Sequence, residues 1–296
     1  MYDIIIIGAG PAGMTSALYA LRANKKVLVL ESNTYGGQIV NASNIANYPA
    51  LPNISGFDYA TNLYNQIKEL GVQIKFETVI RITKEKTVIT SDNEYNAKAI
   101  ILATGTQKKK LNIAKESDFI GKGVSYCATC DGNFYKNKEV AVVGATDHAI
   151  EDAIYLNDIA SKVYLINDKD IFDCDESLVD ELNNKKNIEI KYNSSVVGLH
   201  GNPTLSSIDV KGKDDNEVNI PINGLFVAVG QSPKNEIFSN VVDLTENGYI
   251  KSNDGVHTKT PGIYVAGDAR EKILRQLVTA ASDGAIAATT AIKEMF

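Results

Sequence analysis

The chain has 296 residues, of which 44% are hydrophobic and 22% charged, and its formal net charge is −6. That composition excludes wholesale disorder, and an acidic balance with no broad basic face argues against nucleic-acid binding. No apolar run approaches the roughly 18 residues of a membrane span, and the length predicts two domains or one large α/β domain.

The first unit is the clearest. Ile4–Ile7 is a continuous apolar run, the mark of a strand buried on both faces. It follows the start directly, with no basic segment before it, so it reads as a strand and not a signal peptide. Gly8-Ala9-Gly10-Pro11-Ala12-Gly13 comes next, then a predicted helix from Met14 to about Asn24, then a strand Val27–Leu30 ending in Glu31. This strand–turn–helix–strand order places a dinucleotide fingerprint in its structural context. Gly8 and Gly10 would let backbone approach a pyrophosphate, and Gly13 would let helix pack on strand. Pro11 and Ala12 complete the turn, and Glu31 is placed to accept ribose hydroxyls.

The pattern recurs downstream. Val140–Val143 reads as a second buried strand, Gly144–Ala149 as its turn, Ile150 to about Ser161 as a helix, and Val163–Ile166 as the next strand. Gly8 and Glu31 are 23 positions apart, as are Gly144 and Asn167, which predicts two units of one design. Ile100–Gly105 and Leu225–Gly230 read as the closing strands of the two units. The expected organisation is two Rossmann-like α/β domains of three layers. A dinucleotide-type domain at 112–238 is inserted into a discontinuous one at 1–111 plus 239–296. Lys108–Lys110 and Gln231–Asn235 read as linkers and plausible hinges.

Cys127, Cys130 and Cys174 are an odd number and too few for a secreted disulfide framework. The chain is therefore expected to be cytoplasmic, with any disulfide catalytic. Cys127-Ala128-Thr129-Cys130 could be half a zinc site, a pair of inert thiols or a redox dithiol. Zinc normally needs four ligands, and the remaining candidates, Cys174, His148, His200 and His257, are scattered, so no metal site is expected. A short CxxC spacing favours dithiol–disulfide cycling. Asp131 follows directly and could pass a proton to a leaving thiolate. Cys174 reads as a bystander.

Several motifs occur in order: Gly8–Gly13 with Glu31, Tyr35-Gly36-Gly37-Gln38, Asn47-Tyr48-Pro49, Ala103-Thr104-Gly105, Cys127–Gly132, Gly267-Asp268-Ala269 and Arg275-Gln276. Together they resemble the low-molecular-weight thioredoxin reductase family across the whole chain. The resemblance implies FAD as cofactor, thioredoxin as electron acceptor and a homodimer. It assigns FAD contacts to Glu31, Ser32, Asn33, Thr34, Tyr35, Gly36, Gly37 and Gln38, and to Gly267, Asp268, Ala269, Arg275, Gln276 and Leu277, with Asn47 and Thr104 beside them. It also implies that Cys130 faces the flavin, that Cys127 attacks the partner disulfide, and that Asp131 is the acid/base.

The second turn departs from the family pattern. Thr146 stands where Gly10 stands in the first turn, and Asp147 comes next, expected to cap the helix and fill the anion site with like charge. In place of the family's basic cluster after the second strand come Asn167-Asp168-Lys169-Asp170, then Asp173, Asp175 and Glu176, which would repel a 2′-phosphate. Intact FAD and CxxC motifs beside a broken nicotinamide motif resemble the ferredoxin-dependent flavin thioredoxin reductases of clostridial bacteria. That resemblance implies reduced ferredoxin as donor, docking on a basic patch expected at Lys108–Lys110. Two rivals stand beside it: an NAD(P)H-dependent reductase with an atypical site, in which Asp168 holds the ribose, and a non-catalytic flavin/dithiol sensor.

Overall fold

The computed structural model describes residues 1–42, 44–51, 53–172, 174, 176–252 and 255–295. The chain divides into two compact units, Met1–Gln107 with Ser232–Phe296, and Lys108–Gln231. The breaks fall short of the expected 111/112 and 238/239. Residues 232–238 stay with the first unit because Phe238 is fully buried in its core and the Asn235 side chain donates to the carbonyls of Gly248 and Ala269.

In the first unit five strands run parallel in the order 73–76, 27–31, 2–7, 94–102, 263–265. The early half of strand 94–102 also pairs antiparallel with 87–90, which pairs with 79–82. The Ile4–Ile7 run sits mid-sheet, its neighbours Val27–Leu30 on one side and Ala99–Leu102 on the other. Side chains alternate between two cores, as the strand pleat requires. Ile4 and Ile6 face helices Pro11–Arg22, Gly56–Glu69 and Leu277–Glu294, while Ile5 and Ile7 face Val79, Ile82, Val88, Phe238 and Ile250. Burying each large aliphatic contributes about 1.5–3 kcal/mol, so this doubly covered strand anchors the unit.

Two helix starts fall earlier than the sequence suggests. The first helix spans Pro11–Arg22, not Met14–Asn24, because proline at the first helical position has no amide to waste. The equivalent helix of the second unit spans Asp147–Asn157, not Ile150–Ser161. In each case the last three residues of the glycine-type turn are already helical.

Helices Pro11–Arg22 and Leu277–Glu294 pack without clearance. A methyl at Gly284 would run into the Ala12 carbonyl oxygen, and Ser16 Oγ donates to both Ala12 O and Gly284 O. The later helix begins with a capping box in which Gln276 and Thr279 satisfy each other's backbone amides.

The second unit repeats the plan. Its parallel strands lie in the order 188–191, 162–166, 139–143, 224–227, 124–125, and an antiparallel meander of 195–201, 205–211 and 217–221 covers one face. Val140 and Val142 face helix Asp147–Asn157, and Ala141 and Val143 face the meander. In this unit the fifth strand precedes the other four in sequence, whereas in the first unit it comes after them.

Among the described residues no helix is long and apolar enough to cross a membrane.

Candidate functional site

In the first unit the three segments singled out in the sequence converge on the start of helix Pro11–Arg22. Glu31 Oε2 accepts the Ala9 N–H at 2.8 Å, and its Oε1 accepts Asn33 N–H at 3.0 Å and Ser32 Oγ–H at 3.3 Å. A carboxylate has about four acceptor sites, so one is left for an outside hydroxyl. Thr34 leads into a turn where Gly36 N–H donates to Ala9 O at 2.8 Å. Gly36 and Gly37 adopt φ of 101° and 61°, the left-handed region that favours glycine, and Gln38 lies in the short 3-10 helix after them. Tyr35 stacks on Tyr64 with ring centroids 4.2 Å apart.

Gly10 carries the most informative geometry. Its φ is −75°, which any residue adopts, and an added methyl would meet nothing nearer than Gly37 Cα at 4.0 Å. The fold does not require glycine here, so the open space is a cradle for something outside the chain. Gly13 is the opposite case: a methyl there would strike the Gly8 carbonyl oxygen. Beyond the cradle, Asn47 Nδ2 donates to Gln276 Oε1 at 3.1 Å, Thr104 Oγ1 donates to Asn235 Oδ1 at 3.1 Å, and the Arg275 guanidinium lies 3.9 Å over the Tyr249 ring. Arg275 Nε is buried with no hydrogen-bond acceptor, an N–H left for a ligand. The residues present fit a dinucleotide such as FAD.

Sequence reasoning missed Asp283. Its carboxylate accepts Gly267 N–H at 3.1 Å, Arg270 Nε at 3.0 Å and Lys272 Nζ at 2.9 Å, so it organises the Gly267–Asp268–Ala269 turn and the segment leading out of it. Burial would raise its carboxyl, but the bonds from Arg270 and Lys272 outweigh that and hold it below its ordinary range. One signal was available: Asp283 is an acid in the middle of an alanine-rich helix. Asn235, which looked like linker, gave none.

In the second unit Cys127 and Cys130 are joined as a disulfide, with Cα atoms 5.3 Å apart, around the short helix Ala128–Asp131. Asp131 Oδ2 accepts Ser125 Oγ–H at 2.7 Å, while Oδ1 is buried with no hydrogen-bond partner. Ser125 Oγ in turn accepts the Cys127 N–H at 3.1 Å. Buried oxygens without partners are rare, and this one sits directly after the dithiol. Cys174 is not part of this disulfide and lies half-buried against the helical core.

The family model described as pyridine nucleotide-disulphide oxidoreductase matches residues 2–284. The thioredoxin reductase of Bacillus subtilis is 39% identical over 97% of this chain and 93% of its own length. That of Treponema pallidum is 38% identical over 98% and 96%. The chain belongs to the low-molecular-weight thioredoxin reductase family. A solved thioredoxin reductase from Streptococcus pyogenes superposes with a TM-score of 0.95 at 36% identity, covering 100% of this chain and 98% of that one. The 34.2 kDa protein in the rubredoxin operon of Clostridium pasteurianum is also similar, 37% identical over 98% of this chain and 96% of its own length. The reductases of this family are FAD-binding flavoproteins.

The reductase's second turn is built differently from its first. Thr146, the position matching Gly10, is the helix cap residue with extended backbone (φ −109°, ψ 171°), and its hydroxyl makes no capping bond. The expected cap, Asp147, is instead the first helical residue, and its Oδ1 accepts the next amide, His148 N–H, at 2.8 Å. A carboxylate thus holds an amide that would otherwise be open to phosphate. Asn167, matching Glu31, is fully buried and bonds within its own loop: Nδ2 to Ile171 O at 2.9 Å, Oδ1 from Lys169 N–H at 2.8 Å. Asp168 and Asp170 are exposed, and Asp173 and Asp175 lie outside the described residues.

Asp152 is only 6% exposed, and His148 Nε2 lies 3.9 Å from its carboxylate. Burial pushes its carboxyl up from the ordinary 3.8 to about 6, against the pull of His148 and Lys108. Because the folded carboxyl keeps its proton to higher pH than the unfolded chain's, the fold loses stability as the pH rises from 3.8 through about 6. Asp152→Asn is therefore expected to raise Tm at pH 8, by roughly 2 kcal/mol of stability, and to leave it unchanged below pH 4. Thermal unfolding of the two proteins across that range checks it.

Proposed function

We propose that this chain reduces thioredoxin through FAD held by the first unit and a Cys127–Cys130 dithiol, taking its electrons from reduced ferredoxin and not from NADPH. The reading rests on the contrast between the turns. Gly10 leaves bare backbone for a pyrophosphate, whereas Thr146 puts a branched side chain there and Asp147 adds like charge at the anion site. Asn167 folded onto its own loop, with Asp168 beside it, argues against both a 2′-phosphate and a ribose contact.

In this reading the amides of Gly10, Ala12 and Gly13, with Pro11 opening the helix beside Gly8, bind the FAD pyrophosphate. The fourth acceptor site of Glu31 takes a ribose hydroxyl, with Ser32, Asn33 and Thr34 beside it. Tyr35–Gln38, Asn47, Thr104, Gly267–Ala269 and Arg275–Leu277 enclose the rest of the cofactor. Bound FAD supplies the conversion of single electrons into pairs, which a bare dithiol cannot perform.

Two electrons open the Cys127–Cys130 bond, and Asp131, through its unpartnered Oδ1, carries the proton that leaves one sulfur as thiol and one as thiolate. Cys127 then attacks the thioredoxin disulfide, and Cys130 displaces reduced thioredoxin while the Cys127–Cys130 bond re-forms. A ferredoxin near −400 mV and a thioredoxin near −270 mV differ by about 130 mV, roughly 6 kcal/mol downhill for two electrons.

Lys109 and Lys110 are exposed and are the proposed docking lysines for an acidic ferredoxin, whereas Lys108 Nζ is engaged at Tyr126 O. The reading also makes the protein a cytoplasmic homodimer. Steady-state thioredoxin reduction with NADPH, NADH or reduced ferredoxin tests the donor: turnover is expected with ferredoxin alone, and rapid turnover with either nicotinamide would overturn it.

A further inference from the structure

We propose that Lys108 clamps the Tyr126 carbonyl and so fixes the backbone entering Cys127, making it a positioning residue for the dithiol. The inference rests on Cys127–Cys130 as the redox pair and is independent of the electron donor.

Lys108 Nζ donates to Tyr126 O at 2.6 Å. Its side chain lines a crevice with Tyr126, His148, Gly230 and Gln231, beyond the carboxyl ends of strands 139–143 and 224–227. That is where an open α/β sheet normally takes its ligand, and here the protein's own ammonium enters it. Asp152, on helix Asp147–Asn157, is buried, and His148 of the same crevice lies 3.9 Å from its carboxylate.

The effect reaches the sulfur by short steps. The Tyr126 hydroxyl donates to buried Glu116 at 2.7 Å, its carbonyl is held by Lys108, and the next amide, that of Cys127, is held by Ser125 Oγ, which is bonded to Asp131. Freeing the Tyr126 carbonyl would release the one side of this frame that the disulfide and Ser125 leave uncovered.

The test is a single turnover, so that the donor plays no part. Holoenzyme reduced with dithionite and desalted anaerobically is mixed with oxidised thioredoxin, and the rate of thioredoxin reduction is measured from pH 5 to 8. Lys108→Met is expected to slow the step about tenfold, as small misplacements of reacting groups do, and Lys108→Arg to restore most of the rate. Equal FAD content in each variant shows that the fold is kept. A Lys108→Met rate equal to that of the unaltered protein, or a Lys108→Arg rate no better than that of Lys108→Met, would overturn the proposal. Should Lys108→Met fail to fold, Lys108→Gln takes its place, with a similar loss of rate expected and an unaltered rate overturning the proposal.

Discussion

Cys130→Ser is expected to eliminate thioredoxin reduction, by at least about 10³-fold, while the protein keeps its FAD. The disulfide joins Cys127 and Cys130, and Cys174 lies half-buried against the helical core instead of beside them. With Cys130 gone, no second thiol can displace thioredoxin from a mixed disulfide on Cys127. The serine hydroxyl is nearly isosteric and the cysteine is only half-buried, so the fold should lose less than about 1 kcal/mol. Anaerobic assay of turnover beside a visible spectrum of the flavin checks both halves. A Cys130→Ser protein that turned over normally would remove the dithiol from the mechanism, and turnover absent even before the change would favour the sensor reading.

Gly10→Thr transplants the second unit's residue into the first. No atom of the protein lies within ordinary contact distance of a methyl at Gly10, and the backbone there suits any residue, so the apo fold should be kept with little change in Tm. FAD affinity is expected to fall at least about 100-fold, some 3 kcal/mol, because a branched side chain would stand where the pyrophosphate must meet bare amides. Titration of the apoprotein with FAD, read by flavin fluorescence, gives the number directly. Unchanged affinity would show that this position does not discriminate between a working turn and a broken one, and the inference from Thr146 would fall with it.

Much of this was legible in the sequence because the signals were local. The Ile4–Ile7 run, the Gly8–Gly13 turn, Glu31 at the strand end and the CxxC each declare themselves within a few residues, and the repeat of a 23-residue pitch exposed the duplication. The hidden features depend on partners far along the chain. Asp283 matters because the fold brings Gly267, Arg270 and Lys272 to it. Asn235 read as linker because its ties to Gly248 and Ala269 have no local signature. Lys108 reads in sequence as one of three equivalent surface lysines, and only the tertiary structure puts its amino group on the Tyr126 carbonyl. The helix starts lie earlier than expected because glycine and proline signal a turn, whereas the turn's last three residues already carry helical backbone in both units.

The second turn also shows why degeneracy is easier to read than replacement. Thr146 and Asp147 are visible losses against the Gly10 pattern. That Asn167 is a buried loop-closing residue, and that Lys108 enters the crevice, emerge only from the tertiary structure. A buried carboxylate such as Asp152 lowers stability above pH 6, and groups kept at that cost cluster at functional sites.

The donor is the central claim, and one anaerobic titration addresses it. Oxidised holoenzyme is mixed first with excess NADPH, then NADH, and finally with reduced ferredoxin, while the flavin absorbance is recorded on the time scale of turnover. The account predicts that both nicotinamides leave the flavin band unchanged and that ferredoxin bleaches it, with reduced thioredoxin forming only in the last step. Rapid bleaching by either nicotinamide, with thioredoxin reduction after it, would contradict it.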